Sequence, residues 1–373
     1  MKYLFYFGHP AQYLFLRETI KRLSQSDRHQ VTILIKTKDV LETLIRNDGF
    51  NFINILPKHR GGTTLSIALS LLRRILLIIP IIIRKRPDLL IGTDATIAQV
   101  GRLLGINRIT IIEDDYKVIS NLAKLTYPFT QTILCPEVCQ VGRWVDKKVG
   151  YQGYMKLGYL HPSIFTPNEQ LPMKYQLGTR YVLIRLTRLT AHHDVGIRGI
   201  HGKLVKDVID IIEAEGFEVK ISSEGELDVR FKPYLLRIDP SDMHHVLAQA
   251  ALLISDSQSM SVEAAMLGVP SIRYSDFAGK ISVLEELEHK YQLTFGIQPG
   301  YELQLLHRLK ALIKEPTLKS IFQARRQKML TEKIDVSSFL VWFLEDYPAS
   351  FNIMKANPDY QIIFKTHKVS ETL

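Results

Sequence analysis

LISDSQSMSVEAAMLGVPSI, residues 253–272, holds an apolar run, a cluster of small hydroxyl residues around one Asp, a helix-like stretch with a single Glu, and Gly-Val-Pro before a second apolar run. Short apolar runs bounded by turn residues read as buried strands, and the stretch between them reads as a helix, so the segment is a β-α-β unit. Pro270 opens the next strand. Ala264, Ala265 and Gly268 keep the helix slim against its sheet. The turn Ser255, Asp256, Ser257, Gln258, Ser259, Met260, Ser261 falls at the strand-to-helix junction. Small residues there leave backbone N–H groups and hydroxyls at a helix N-terminus, whose unsatisfied donors and partial positive charge suit a phosphate. Glu263, about one turn in, would repel a phosphate, and a ribose diol is the better partner for it. The competing reading is a Ser-rich N-cap with Glu263 as a capping carboxylate.

Working outward, the same alternation continues in both directions. Strands are expected at 2–8, 31–37, 52–56, 88–94, 108–114 and 131–136, with helices at 11–23, 39–49 and 64–85 among them. After the proline-bearing stretch 158–178 the pattern restarts, with strands at 181–186, 218–223, 252–257, 270–275 and 294–297 and helices at 199–215, 241–250, 259–267 and 301–314. Repeated β-α units build mainly parallel sheets covered on both faces. The expected fold is α/β, with two Rossmann-like domains facing across a cleft. Residues 1–160 form the first domain, 161–178 a linker, 179–335 the second domain, and 336–373 an aromatic helical segment packing back across the domains. In such sheets ligands bind beyond the carboxyl ends of the strands. Loop residues just after strands therefore carry the functional expectation.

Composition narrows the class. The chain has 373 residues, 46% hydrophobic and 23% charged, enough for two domains with sizeable cores. Its two cysteines, Cys135 and Cys139, exclude a disulfide framework, fit a reducing cytosol, and read as structural thiols. MKYLFYFGHPAQ at the start reads as a first strand, not a signal peptide. Residues 1–160 hold 23 Lys and Arg against 12 Asp and Glu, a net of +11, while residues 161–373 hold 25 against 26, a net of −1. A basic first half suits an anionic membrane surface or a polyanion, or is simply a solvated face. The apolar stretch 65–90 is interrupted by Arg73, Arg74 and Pro80, and its longest uncharged run, Ile75–Ile83, is too short to span a bilayer. It reads either as a buried helix feeding the next strand or as a patch lying in the membrane interface with its basic residues on lipid phosphates.

The longer stretch IDPSDMHHVLAQAALLISDSQSMSVEAAMLGVPSI resembles the donor-binding half of GT-B-type proteins, especially MurG-like glycosyltransferases and non-hydrolysing UDP-N-acetylglucosamine 2-epimerases. The likeness rests on Asp242 and Met243 before an Ala-rich helix (Ala248, Ala250), the small-residue turn, the Glu263-Ala264 pair, and Gly268-x-Pro270. It implies that the turn holds a donor diphosphate and that Glu263 contacts the ribose. RLTRLTAHHD follows the first strand of the second domain, where Arg185, Arg188 and His192 can supply cations to a diphosphate leaving group. His192, His193 and Asp194 lack an evident further ligand for a metal, and no metal or separate cofactor is expected.

The resemblance also gives the first domain its candidates. Glycosyltransferases of this fold often carry a His base on the first loop, the place of His9, and imidazole can take a hydroxyl proton near neutral pH. Asp94 and Glu113 match by position the strand-end carboxylates of the epimerases; with Asp114 they are candidates to bind or deprotonate acceptor hydroxyls. Neighbouring carboxylates would raise one another's pKa. The competing reading for Asp94 and Glu113 is a helix N-cap. The chain departs from the epimerase pattern where Asp114-Asp115-Tyr116-Lys117 follows Glu113, and where Gly8-His9-Pro10-Ala11-Gln12 replaces a loop with Arg and Glu. The expected function is transfer of a sugar from a nucleotide-diphospho-sugar, UDP-linked, to a surface-polysaccharide or lipid-linked acceptor, in the cytoplasm and peripheral to the membrane. The alternative is a UDP-N-acetyl-sugar epimerase or hydrolase. A nucleic-acid partner is not expected, since RNA-recognition motifs are absent and the second half is neutral.

Overall fold

The computed structural model describes residues 1–37, 40–56, 64–187, 199–200 and 202–365. They divide into two compact units, Met1–Tyr159 with Lys333–Leu373, and Leu160–Glu332.

The first unit holds β1 (Lys2–Phe7), β2 (Gln30–Lys36), β3 (Ile53–Leu56), β4 (Leu89–Gly92), β5 (Asn107–Ile111), β6 (Thr132–Pro136) and β7 (Lys148–Tyr151). They pair in the order β3-β2-β1-β4-β5-β6-β7, every pairing parallel. Parallel strands are covered on both faces, so β1 buries five consecutive residues, Tyr3 through Phe7. The long apolar segment forms a helix, Thr64–Lys85. Its Ile78 and Ile82 enter a core with Leu4, Tyr6 and Leu90, while Leu72, Leu76, Leu77 and Ile83 stay exposed. The segment from Lys333 belongs to this unit. Its helix Val336–Glu345 is fastened by Arg22 to Ser338 Oγ (2.8 Å) and by His29 to Glu345 (2.7 Å).

The second unit holds β8 (Tyr181–Leu186), β9 (Glu218–Ser223), β10 (Leu252–Ser255), β11 (Ser271–Tyr274) and β12 (Phe295–Ile297), in the order β12-β11-β10-β8-β9, again all parallel. The stretch expected as a linker packs within this unit. It carries the helix Leu171–Lys174, and Tyr175 donates its hydroxyl to Asp242 at 2.6 Å.

Several elements escaped the pattern, β7 and the helix Leu318–Glu332 among them. β7 is four residues at a sheet edge and includes a Lys and a Gly. The helix Leu318–Glu332 is charge-rich and buries only Phe322, Met329 and Leu330, too sparse a stripe to show a helical period.

The strand orders locate the switch points. In the first sheet the order reverses between β1 and β4, and in the second between β8 and β10. The loops after these strands begin at Gly8, Thr93, Thr187 and Asp256, where open α/β sheets bind their ligands.

Candidate functional site

In the second unit, Ser255 at the end of β10 stands beside Arg185 at the end of β8. The Ser255 hydroxyl accepts from the Ser257 amide (2.8 Å), which tightens the turn. Ser257 is the N-cap of the helix Gln258–Leu267, and its Oγ accepts from the Met260 amide at 3.3 Å. The first intrahelical bond runs from the Ser261 amide to the Ser257 carbonyl, 3.3 Å, and the Ser261 hydroxyl donates to the same carbonyl at 2.9 Å. The amides of Gln258 and Ser259 therefore precede the ladder and have no intrahelical acceptor. At the other end Gly268 takes φ +70°, and a Cβ there would meet Gln323 Nε2 at 2.6 Å. Gln323 donates to the Leu267 carbonyl at 2.9 Å, which closes the helix C-terminus.

Asp256 is buried at the start of the turn. Its carboxylate accepts from the Thr187 amide (2.7 Å), the Thr187 hydroxyl (3.0 Å) and the Ile200 amide (3.2 Å), so it braces the backbone on both sides of the loop after β8. Burial pushes its pKa up, opposed by those hydrogen bonds. The Arg185 guanidinium donates to Ser222 Oγ at 2.7 Å and pairs with Glu224 beside β9. Arg188 and His192, with His193 and Asp194, lie outside the described residues. Glu263 is buried in the helix, 3.4 Å from His244 Nε2. Met243 opens the neighbouring helix Met243–Gln249.

Sequence reasoning passed over Arg273. It sits on β11 with its side chain fully buried, and its Nη1 donates to Gln258 Oε1 at 3.1 Å. Gln258 Nε2 donates in turn to Ser275 Oγ at 2.8 Å. The Arg273 Nη2 lies 3.7 Å from Glu288 and 3.8 Å from Glu285, and neither Nη2 nor Nε has a hydrogen-bond partner among the described residues. A fixed cation thus lies under the first residue of the serine-turn helix. A lone Arg within the apolar run PSIRY was the available signal, because buried charges require partners.

In the first unit, His9 is the N-cap of the helix Pro10–Ser24, its Nδ1 accepting from the Ala11 amide at 3.2 Å, and the residue is exposed. Gly8 beside it leaves room for Lys36, whose Cε would lie 2.7 Å from a Cβ. Asp94 is an N-cap: Oδ1 accepts from the Thr96 amide (2.9 Å) and hydroxyl (2.6 Å), and Oδ2 pairs with Arg74 at 2.9 Å. Burial raises its pKa, but Arg74, Lys36 and Thr96 outweigh that and hold it below the ordinary carboxylate range. This reverses the expected upward shift. Glu113 is buried; its Oε1 accepts from the Met155 amide (2.7 Å) and its Oε2 pairs with Lys156 (2.6 Å). Asp114 follows it half-buried, and Asp115 holds the Gln140 amide at 2.7 Å. Both cysteines are buried free thiols, and burial pushes Cys135 up to about 12. Among the described residues no group of three or more His, Cys, Asp and Glu is placed to hold a metal ion.

A cavity of about 510 Å³ is lined by Phe295, Arg308, Phe322 and Arg325 at the opening end of β12, the edge opposite the strand ends that carry the serine turn.

No protein-family model matches the chain, and no curated protein matches it in sequence. In fold it is similar to the UDP-GlcNAc 2-epimerase of Neisseria meningitidis bound to UDP-GlcNAc, with a TM-score of 0.58 and 12% identity over 88% of this chain and 99% of that one. A UDP-N-acetylglucosamine 2-epimerase from Rickettsia bellii gives 0.63 and 14% over 96% and 99%. The spinosyn rhamnosyltransferase SpnG, complexed with spinosyn aglycone, gives 0.61 and 14% over 93% and 100%. The chain therefore has the two-unit α/β fold of GT-B type that these epimerases and this glycosyltransferase share. At such identities the likeness is one of fold.

Proposed function

We propose that the chain is a GT-B-fold enzyme that binds a UDP-linked sugar through the serine turn of its second unit and transfers the sugar to a surface-polysaccharide or lipid-linked hydroxyl acceptor. The observation that carries the reading is the N-terminus of the helix Gln258–Leu267, where the Gln258 and Ser259 amides lie outside the helical ladder at a switch point of the sheet. Fold neighbours crystallised with UDP-GlcNAc support the choice of ligand. In this reading the turn amides and the Ser259 hydroxyl take the diphosphate, Glu263 takes the ribose, and Arg273 acts through Gln258 to hold the first helical residue in place. A departing nucleoside diphosphate gains charge, and fixed donors stabilise it. His9, on the loop after β1, is the proposed base.

An epimerase reading draws on the number of UDP-GlcNAc 2-epimerases among the fold neighbours. The pairing of Asp94 with Arg74 and of Glu113 with Lys156 favours transfer instead, since carboxylates held in ion pairs must lose a partner to move a proton. Incubation with UDP-N-acetylglucosamine alone separates the two. An unchanged substrate is expected for a transferase; epimer or free UDP identifies the alternative.

A further inference from the structure

The helix Thr64–Lys85 presents two unlike faces. One enters the core through Ile78 and Ile82. The other leaves Leu72 (54% exposed), Leu76 (62%), Leu77 (39%) and Ile83 (58%) in solvent. Leu72, Leu76 and Ile83, spaced four and seven residues apart, share one strip of the helix, and Leu77 flanks it on the turn that leads to Pro80. Exposed Arg73 stands within the strip, and exposed Arg84, Lys85 and Arg86 close its C-terminal end. Arg74 faces inward to Asp94 and takes no part. From Gly49 through Pro87 the chain has no Asp or Glu at all. No helix among the described residues is long and apolar enough to cross a membrane.

We propose that this strip is a monotopic docking surface for an anionic lipid bilayer. The leucines and Ile83 enter the boundary between headgroups and acyl chains, and Arg73, Arg84, Lys85 and Arg86 contact lipid phosphates. Charge selects the occupant. A second copy of the chain would bring the same cations against these cations, whereas an anionic bilayer complements them and accepts the apolar side chains at the same depth. The cost of exposing four large aliphatic side chains on one helix is then met in the bound state. This inference does not depend on the nucleotide-sugar reading, because its test contains no nucleotide.

The test is co-sedimentation of the full chain with phosphatidylglycerol vesicles and with phosphatidylcholine vesicles. Binding to the first is expected to exceed binding to the second by about tenfold and to weaken at high salt. The double variant Leu76→Asp with Ile83→Asp is expected to lose binding while keeping the wild-type melting temperature, since both side chains are exposed. Arg84→Glu with Arg86→Glu is expected to lose the preference for phosphatidylglycerol. The proposal is overturned if the wild-type chain does not sediment with phosphatidylglycerol vesicles, or if the Leu76→Asp, Ile83→Asp variant sediments as well as wild type. It is equally overturned if sedimentation velocity shows a dimer that this variant abolishes while vesicles bind neither protein.

Discussion

Asp94 shows how a residue with catalytic credentials is claimed by structure. It stands where a strand ends at a switch point, yet it caps a helix and neutralises Arg74. Its folded pKa lies below the ordinary value, so its contribution is complete above about pH 3.9 and is lost as the pH falls through the folded value. Asp94→Asn should cost about 3 kcal/mol at neutral pH, because Arg74 would be left buried without its partner. Urea unfolding across acidic pH should show a shallower acid loss for the variant than for wild type; parallel curves would rule out the assigned ion pair. Arg273 makes a complementary case. Arg273→Met removes the donor to Gln258 and should weaken UDP binding more than Arg273→Lys does, read as a smaller ligand-induced rise in melting temperature. Equal responses in both variants and wild type would leave Arg273 with a purely structural role.

Elements were legible where apolar pattern and turn chemistry agreed. The serine turn, the helix after it and Pro270 before β11 stand out because each residue does what its backbone position demands, and the structure adds Gly268 as the helix stop at positive φ. Gly268→Ala should cost about 1–2 kcal/mol, from positive φ and from the approach of Gln323 and Arg326, as chemical denaturation would register. Ser257→Ala should cost about 1 kcal/mol by loss of the cap. What sequence could not show is direction. Arg185 and Asp256 occur at the expected strand ends, but side-chain partners contributed from β9, from Thr187 and from Ile200 decide where they point. Those partners are distant in sequence and carry no motif. The helix Thr64–Lys85 was open between a buried and an interfacial reading because its apolar residues run nearly all round; only the packing of Ile78 and Ile82 separates the two faces.

At the scale of the molecule, the two parallel sheets and their switch points follow from β-α alternation, and the fold neighbours cover nearly the whole chain. Counted by unit, the net charge is +10 for residues 1–159 with 333–373 and 0 for residues 160–332, a cationic unit bearing the exposed apolar strip and a neutral unit bearing the serine turn. Hydrogen exchange should reflect this division. UDP is expected to protect the amides around Ser257–Ser261, and phosphatidylglycerol vesicles the segment around Leu72–Arg86. The central claim, that the serine turn takes a nucleotide diphosphate, is tested most directly by calorimetric titration of UDP into the wild-type chain and into Ser259→Asp, which sets a negative charge at the helix N-terminus. Saturable binding by wild type and its loss in Ser259→Asp is the predicted result; no binding by wild type, or equal binding by both, contradicts it.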